Sequence, residues 1–254
     1  MKIATWNVNS VRARIDQVTR WLEQHEPDVL CLQETKVEDF EFPREPLEDE
    51  GYNVVVHGQT NYNGVAILAQ HDIEDVVTGF PDDGDDAEAR VLACRVGDFR
   101  VLNLYVPNGT AIGHEKYGEK LAWLGRLRAY LDAAFSPDEP LVVCGDFNIT
   151  FDDRDVYDPD AMREHIHCST PEREALADVM AFGLTDALRH FHDEAGIYTW
   201  WHYRAGGFER DLGMRIDHHL VTAPALERCR GVEVDVEARR GKGTSDHAPV
   251  IATF

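Results

Sequence analysis

Short apolar runs that stop at a carboxylate, an amide or a histidine recur along this 254-residue chain, and no other feature restricts its fold as much. Lys2–Val8 stops at Asn7 and Asn9, and Val29–Leu32 stops at Gln33-Glu34. Arg100–Val106 gives way to Pro107-Asn108-Gly109, and Leu141–Cys144 to Gly145-Asp146-Phe147-Asn148. Ile216–Val221 carries Asp217 near its start, and Asp246-His247 stand just before Val250–Phe254. Runs of this length suit strands buried on both faces, and all fall far short of a membrane span. In stacked sheets such polar ends can converge on one rim, which is where a site is expected.

Between the strands, helical spacing appears three times. Val11, Ile15, Val18, Trp21 and Leu22 predict a first helix closed by Pro27, and Tyr117, Leu121, Leu124, Leu127, Leu131 and Phe135 predict a second. Thr170 as N-cap, Pro171 in the first turn and Gly183 beyond the end predict a third. Further strands are expected at Asn53–His57, Val65–Ala69, Val91–Val96, Tyr198–Tyr203 and Val232–Val236. The class is therefore mixed α/β, and the lack of a linker or repeat predicts one domain over residues 1–254. Met1–Trp6 runs straight into a strand without a leader pattern, and five scattered cysteines read as buried thiols. Both point to a soluble, cytoplasmic chain with no membrane partner.

The polar ends match the needs of phosphodiester hydrolysis: hard oxygen ligands for a divalent cation, a base for water, and donors for developing charge. Glu34 and Asp146 offer carboxylates, Asn7 and Asn148 offer amides, and Asp246-His247 pairs a carboxylate with an imidazole. Asp217 is placed to fix a histidine tautomer. Each piece alone has a plainer reading: an Asx turn at Asp146–Asn148, a capping turn at Ser245–His247, a solvated strand end at Glu34. Those readings do not explain the ordered series.

Trp6-Asn7, Leu32-Gln33-Glu34-Thr35-Lys36, Leu104-Tyr105-Val106-Pro107-Asn108-Gly109, Gly145-Asp146-Phe147-Asn148, Arg215-Ile216-Asp217 and Ser245-Asp246-His247-Ala248-Pro249-Val250 together resemble the bacterial exonuclease III family. The resemblance runs from Lys2 to Phe254. It implies a four-layered α/β sandwich, DNase I-like, with two mixed β-sheets flanked by helices. It implies incision of duplex DNA 5′ to abasic sites and removal of 3′ blocks or nucleotides, by a monomer using Mg²⁺, with Mn²⁺ as the alternative ion. Glu34 would be the principal metal ligand, with Asn7 and Asp246 in or near the metal's shell. Asp146 would act on the attacking water. Asn148 and His247, also within the metal's reach, would stabilise the pentacovalent phosphate, His247 being polarised by Asp217. Tyr105 would meet the scissile phosphate or the departing 3′-oxygen, and Asn108 would bind phosphate. Trp200, Met214 and Ile216 would line a pocket for an extruded baseless sugar, with Arg204 beside it on the DNA.

Two features sit less easily with DNA. The chain carries 25 basic and 47 acidic residues, a formal charge of −22, where phosphate binding favours a basic footprint. This predicts either adaptation to a salt-rich cytoplasm or acids that face away from the DNA. Glu209 and Asp211 also fall where basic or amide residues facing DNA are expected. Against them, Ala238–Gly243 is the one compact basic stretch and is expected to touch phosphate. His165, His167 and Cys168 lack the second ligand pair of structural zinc, and Asp82–Glu88 reads as a solvated loop. The rival readings are a lipid or inositol-phosphate phosphodiesterase on the same fold and a non-catalytic nucleic-acid-binding regulator.

Overall fold

The computed structural model describes residues 1–84 and 87–254, so Asp85 and Asp86 of the acidic loop lie outside it. The chain opens with β1 (Lys2–Asn7), α1 (Val11–His25) and β2 (Val29–Gln33). A short α2 (Glu45–Glu48) precedes β3 (Asn53–His57), β4 (Val65–Ala69), β5 (Ile73–Thr78), β6 (Val91–Val96) and β7 (Phe99–Tyr105). The long α3 (Glu115–Ala134) leads to β8 (Leu141–Asp146), α4 (Pro159–Met162), α5 (Thr170–Met180), β9 (Leu184–Asp186) and α6 (Ala187–Phe191). The rest is β10 (Trp200–Trp201), β11 (Gly213–Met214), β12 (Asp217–Thr222), α7 (Ala223–Leu226), β13 (Gly231–Val234) and β14 (Val250–Thr253).

One six-stranded sheet has the order β13-β14-β1-β2-β4-β3 and the other β5-β6-β7-β8-β12-β9. Both are mixed: β1–β2 and β7–β8 pair in parallel, and the other ladders are antiparallel. Ile3, Cys31 and Ile67 of the first sheet share a core with Cys94, Val101, Val142 and Val221 of the second. Outside the first sheet Val18, Trp21 and Leu22 of α1 cover Ala4, Trp6 and Leu30. Outside the second, Leu124 and Leu127 of α3 and Leu176 and Val179 of α5 cover Leu102, Leu104 and Val143. These layers are the expected sandwich.

Strand parity decides where the polar ends point. Ile3 faces the other sheet, so Thr5 and Asn7 do too; Val101 brings Asn103 and Tyr105 to the same side. Val142 and Cys144 do this for Asp146, and Val221 does it for His219 and Asp217. Registers Asn7↔Gln33, Tyr105↔Asp146 and Asp217↔Asp146 put these ends level within their sheets.

Two expectations shift, and β5 is an addition to them. The third helix is capped by Ser169 instead of Thr170, because Glu172 reaches back to the Ser169 amide at 3.2 Å. The strand expected over Tyr198–Tyr203 shrinks to Trp200–Trp201, since the chain turns away after His202. β5 had no apolar pattern to announce it, being an edge strand whose residues are mostly exposed.

Beneath the rim, Arg215 is fully buried and forks onto Asp155 at 2.8 and 2.9 Å while reaching Asp186 at 2.7 Å. Its Nη1 donates to His218 Nδ1 at 3.0 Å, and His218 Nε2 donates to Ile149 O at 2.7 Å, which fixes a neutral ring. His219 Nε2 donates to Ile3 O at 3.0 Å across the sheets. Burial pulls both rings down to about 4, Arg215 adding to the effect on His218. The unfolded rings titrate near 6.5, so the unfolded chain binds more protons between about pH 6.5 and 4. Stability should therefore fall through that window as pH drops, by up to about 1.4 kcal/mol per unit for each ring. His219→Gln keeps a donor for Ile3 but cannot titrate, and should flatten the pH dependence of the urea midpoint below pH 6.5. An identical slope in the variant would remove His219 from the account.

Candidate active site

The rim gathers the polar ends from both sheets. Asn7 Nδ2 donates to Glu34 Oε1 at 2.8 Å and to Asp146 Oδ2 at 2.9 Å, joining the two sheets through one amide. Ligand atoms of Glu34, Asp146 and His247 lie within 4.8 Å of one another. His247 Nδ1 faces Asp217 Oδ2 at 2.9 Å, and its Nε2 is 3.8 Å from Asp146 Oδ2. Burial opposes charge on this imidazole, but Asp217 and Asp146 outweigh it and push its pKa up to about 10. Burial, aided by Asp217, lifts Asp146 to about 7 against the pull of His247. A buried carboxylate held so high lacks positive charge, and an oxygen-rich pocket of this kind fits a hard divalent cation.

The turns that hold these groups are strained in an orderly way. Gly145 sits at φ 141°, and a Cβ there would lie 2.0 Å from Leu104 O, so only glycine lets β8 approach β7 here. Glu34 at φ 50° and Asn148 at φ 52° are left-handed. The Asx turn foreseen at Asp146 does form, with Asn148 N donating to Asp146 Oδ1 at 2.8 Å, and it coexists with the site. Asn148 Nδ2 donates to Val106 O at 3.0 Å, and Asn108 Nδ2 to Asn148 Oδ1 at 3.2 Å, which brings both amides together. Tyr105 closes that side beneath the Arg90 guanidinium, 4.7 Å from its ring centre. Burial and then Glu34 raise its phenol well above the ordinary value.

Asp246 stands apart from the Glu34–Asp146–His247 cluster, its carboxylate taken by Asn9 Nδ2 and Trp200 Nε1, both at 3.0 Å. Sequence reasoning missed Lys36, whose Nζ lies 2.6 Å from Glu34 Oε2 and donates to Asn9 Oδ1 at 2.5 Å. Despite burial, Lys36 and Asn7 hold Glu34 below its ordinary pKa. The signal was present in Glu34-Thr35-Lys36, where a left-handed Lys36 (φ 55°) turns the chain back.

Trp200, Met214 and Ile216 do come together, packing with Val156, Cys168 and Met162 in a separate apolar cluster. Met214 and Ile216 are buried and Trp200 half-buried. Arg204 is exposed on the turn beyond β10. Trp201 is core, and its Nε1 donates to Asp211 Oδ1 at 3.0 Å, so Asp211, though exposed, has one carboxylate oxygen committed to an indole. Arg239 departs from expectation. It is 6% exposed, lies 5.1 and 5.0 Å from the Tyr203 and Phe208 ring centres, and donates to Trp201 O, which withdraws it from any phosphate.

Behind the amides lies a buried ion pair. Lys120 Nζ is 2.5 Å from Glu172 Oε1 and donates to Asn148 O at 2.7 Å and Asn108 O at 3.2 Å. His167 Nδ1 meets the same Asn148 carbonyl at 2.6 Å. Lys120→Met would strand the Glu172 charge and should cost about 3–5 kcal/mol by urea denaturation. Adding Glu172→Gln removes that charge and should recover most of the loss. A single variant as stable as the parent would show that the pair carries no such weight.

Two facing mixed sheets with carboxylates, amides and a charged histidine on one rim define a metal-dependent phosphoesterase scaffold. The chain belongs to the endonuclease/exonuclease/phosphatase family, whose model matches residues 4–247. It is 36% identical to exodeoxyribonuclease III of Haemophilus influenzae, with all of both chains covered. Among solved structures it is similar to an AP endonuclease from Archaeoglobus fulgidus, at 40% identity and TM-score 0.96 over 100% of this chain and 99% of that one. A 3′ phosphatase from Neisseria bound to a product DNA hairpin matches at 42% identity and the same TM-score, over 100% and 99%.

Proposed function

We propose that the protein is a Mg²⁺-dependent DNA-repair phosphodiesterase that incises duplex DNA 5′ to abasic sites and removes 3′ blocks or nucleotides. It acts as a monomeric, single-domain enzyme of the cytoplasm. The observation that carries this reading is the trio Glu34, Asp146 and His247 within 4.8 Å, fed by Asp217 and bridged by Asn7. The exodeoxyribonuclease III, AP endonuclease and 3′ phosphatase among its relatives supply the substrate class.

Glu34 would be the principal ligand, with Asn7 and Asp246 in or near the metal's shell; Mn²⁺ would satisfy the same oxygens. Bound there, the ion neutralises charge on the phosphate. Asp146, lifted to about 7, is suited to take a proton from the attacking water near neutral pH. His247, kept charged by Asp217, donates to the pentacovalent phosphate, and this cationic state suits a donor better than a metal ligand. Asn148 and Asn108 add amide donors, and Tyr105 meets the departing 3′-oxygen. The Trp200–Met214–Ile216 cluster receives an extruded sugar without a base, and Arg204 lies along the DNA beyond it.

With a duplex holding one tetrahydrofuran abasic analogue, cleavage should require Mg²⁺ and stop with EDTA. Glu34→Gln and Asp146→Asn should lower turnover by orders of magnitude with DNA affinity largely kept, and His247→Ala by about 10²–10³-fold. Near-normal turnover in Asp146→Asn would sink the assignment. Trp200→Ala should reduce incision at the abasic analogue more than binding of intact duplex; parallel losses would refute the pocket.

The charge of −22 yields a separate expectation. Molar salt shortens the Debye length to about 3 Å and erases long-range repulsion between this surface and DNA. In a KCl titration both melting temperature and incision rate should rise before falling. A monotonic fall of activity with no gain in stability would leave the acids as groups that simply face away from the groove.

A further inference from the structure

Beside Tyr105 and Asn108 the chain forms a cavity of about 660 Å³ that no role above employs. It shares Tyr105 and Asn108 with the rim, and none of the Trp200–Met214–Ile216 cluster lines it. Its other walls come from the Gln59–Asn63 loop and the first turns of α3. The volume is in the range of small-ligand sites. Two aromatic rings contribute: Trp123 from α3, and Tyr62, which is 71% exposed. Three cations, Arg90, Lys116 and Arg126, and two carboxylates, Glu88 and Glu119, stand in this lining, so what decides its charge toward a ligand is which cations are already paired. Arg90 is committed to Glu88 at 2.6 Å, and Arg126 to Asp82 and Asp83 at 2.7 Å. Lys116 has no ion pair among the described residues, so it is the cation left for an incoming anion.

The occupant follows from strand polarity, and this step rests on the proposed placement of the departing 3′-oxygen at Tyr105. That oxygen belongs to the nucleotide upstream of the cut. With the downstream sugar at Trp200, which does not line the cavity, the upstream nucleotide at Tyr105 is the one that borders it. A paired base is held in the helix stack and cannot enter; an unpaired one can turn onto the aromatic walls. We infer that this cavity is a subsite for an unpaired nucleotide immediately 5′ of the scissile bond, its base against Tyr62 and Trp123 and its 5′-phosphate toward Lys116. The substrate class it adds is DNA with a frayed or single-stranded 3′ end. Stacking on aromatic faces is indifferent to base identity, as trimming of arbitrary ends demands.

The test uses the full chain with Mg²⁺ and two substrates: a fully paired duplex with the abasic analogue, and a duplex ending in several unpaired 3′ nucleotides. Tyr62→Ala should lower kcat/KM on the unpaired end about tenfold, mainly through KM, with Tyr62→Phe close to the parent. Lys116→Ala should act in the same direction, while both variants incise the paired abasic duplex at the parental rate. Equal losses on both substrates, or none on the unpaired end, would overturn the subsite. If the parent protein cut neither substrate, the phosphodiesterase reading would fail instead. Anisotropy of a labelled single-stranded oligonucleotide on the parent and Tyr62→Ala would then decide the subsite alone: weaker binding by the variant supports it, and equal binding rejects it.

Discussion

The two sheets are tied together by a side-chain bridge directly under the rim, and the geometry of the site depends on it. Gln33 Nε2 donates to Thr5 Oγ1 at 2.8 Å within its own sheet and to Asn103 Oδ1 at 2.7 Å in the other. Asn103 Nδ2 returns across the gap to Leu32 O at 3.0 Å and Ala66 O at 2.8 Å. All three side chains are fully buried, where an unmet donor is costly and a met one fixes a single alignment. Apolar packing lower down is nondirectional and would tolerate a sliding of one sheet on the other. The amide bridge does not, so Asn7 and Glu34 from one sheet meet Asp146 and Asp217 from the other at hydrogen-bonding distance.

Above the bridge, the arrangement is one of mutual electrostatic compensation. Asp217 would lack its charge partner without His247, and His247 owes the largest part of its raised pKa to Asp217, with Asp146 adding to it. Asp146, buried and beside Asp217, stays high in pKa despite His247. Lys36 does for Glu34 what Asp217 does for His247, holding it ionised although burial disfavours charge. The same group types thus end in different protonation states because each has a different neighbour.

How much of this was legible in the sequence follows from the same physics. Apolar runs of strand length in β1, β7 and β8 stop at polar residues, so the strand ends could be named before any coordinates, though not the face each takes. Lys120 was hidden because it sits on the apolar stripe of α3 between Tyr117 and Leu124, where a lone lysine gives no hint of a Glu172 distant in sequence. Arg239 looked like a loop cation because its aromatic partners Tyr203 and Phe208 come from another segment. The partner of Asp211 was hidden for the same reason, being an indole on β10. Local pattern reports where a strand stops; it does not report which distant group awaits it.

The fate of the cations also bears on how so acidic a chain engages a polyanion. Arg90, Lys120, Arg215 and Arg239 are all buried and bound to carboxylates, carbonyls or rings, which removes them from the surface. Several half-buried arginines, among them Arg95, Arg126 and Arg154, are paired with aspartates near the surface. A grip built on a broad basic face is therefore not on offer. What is left is local: the charged imidazole of His247 and the amides of Asn108 and Asn148 at the rim, with exposed Lys116 and Arg204 free of ion pairs among the described residues. With the scissile phosphate placed at the rim as proposed, affinity there acts on the transition state more than on the length of duplex bound.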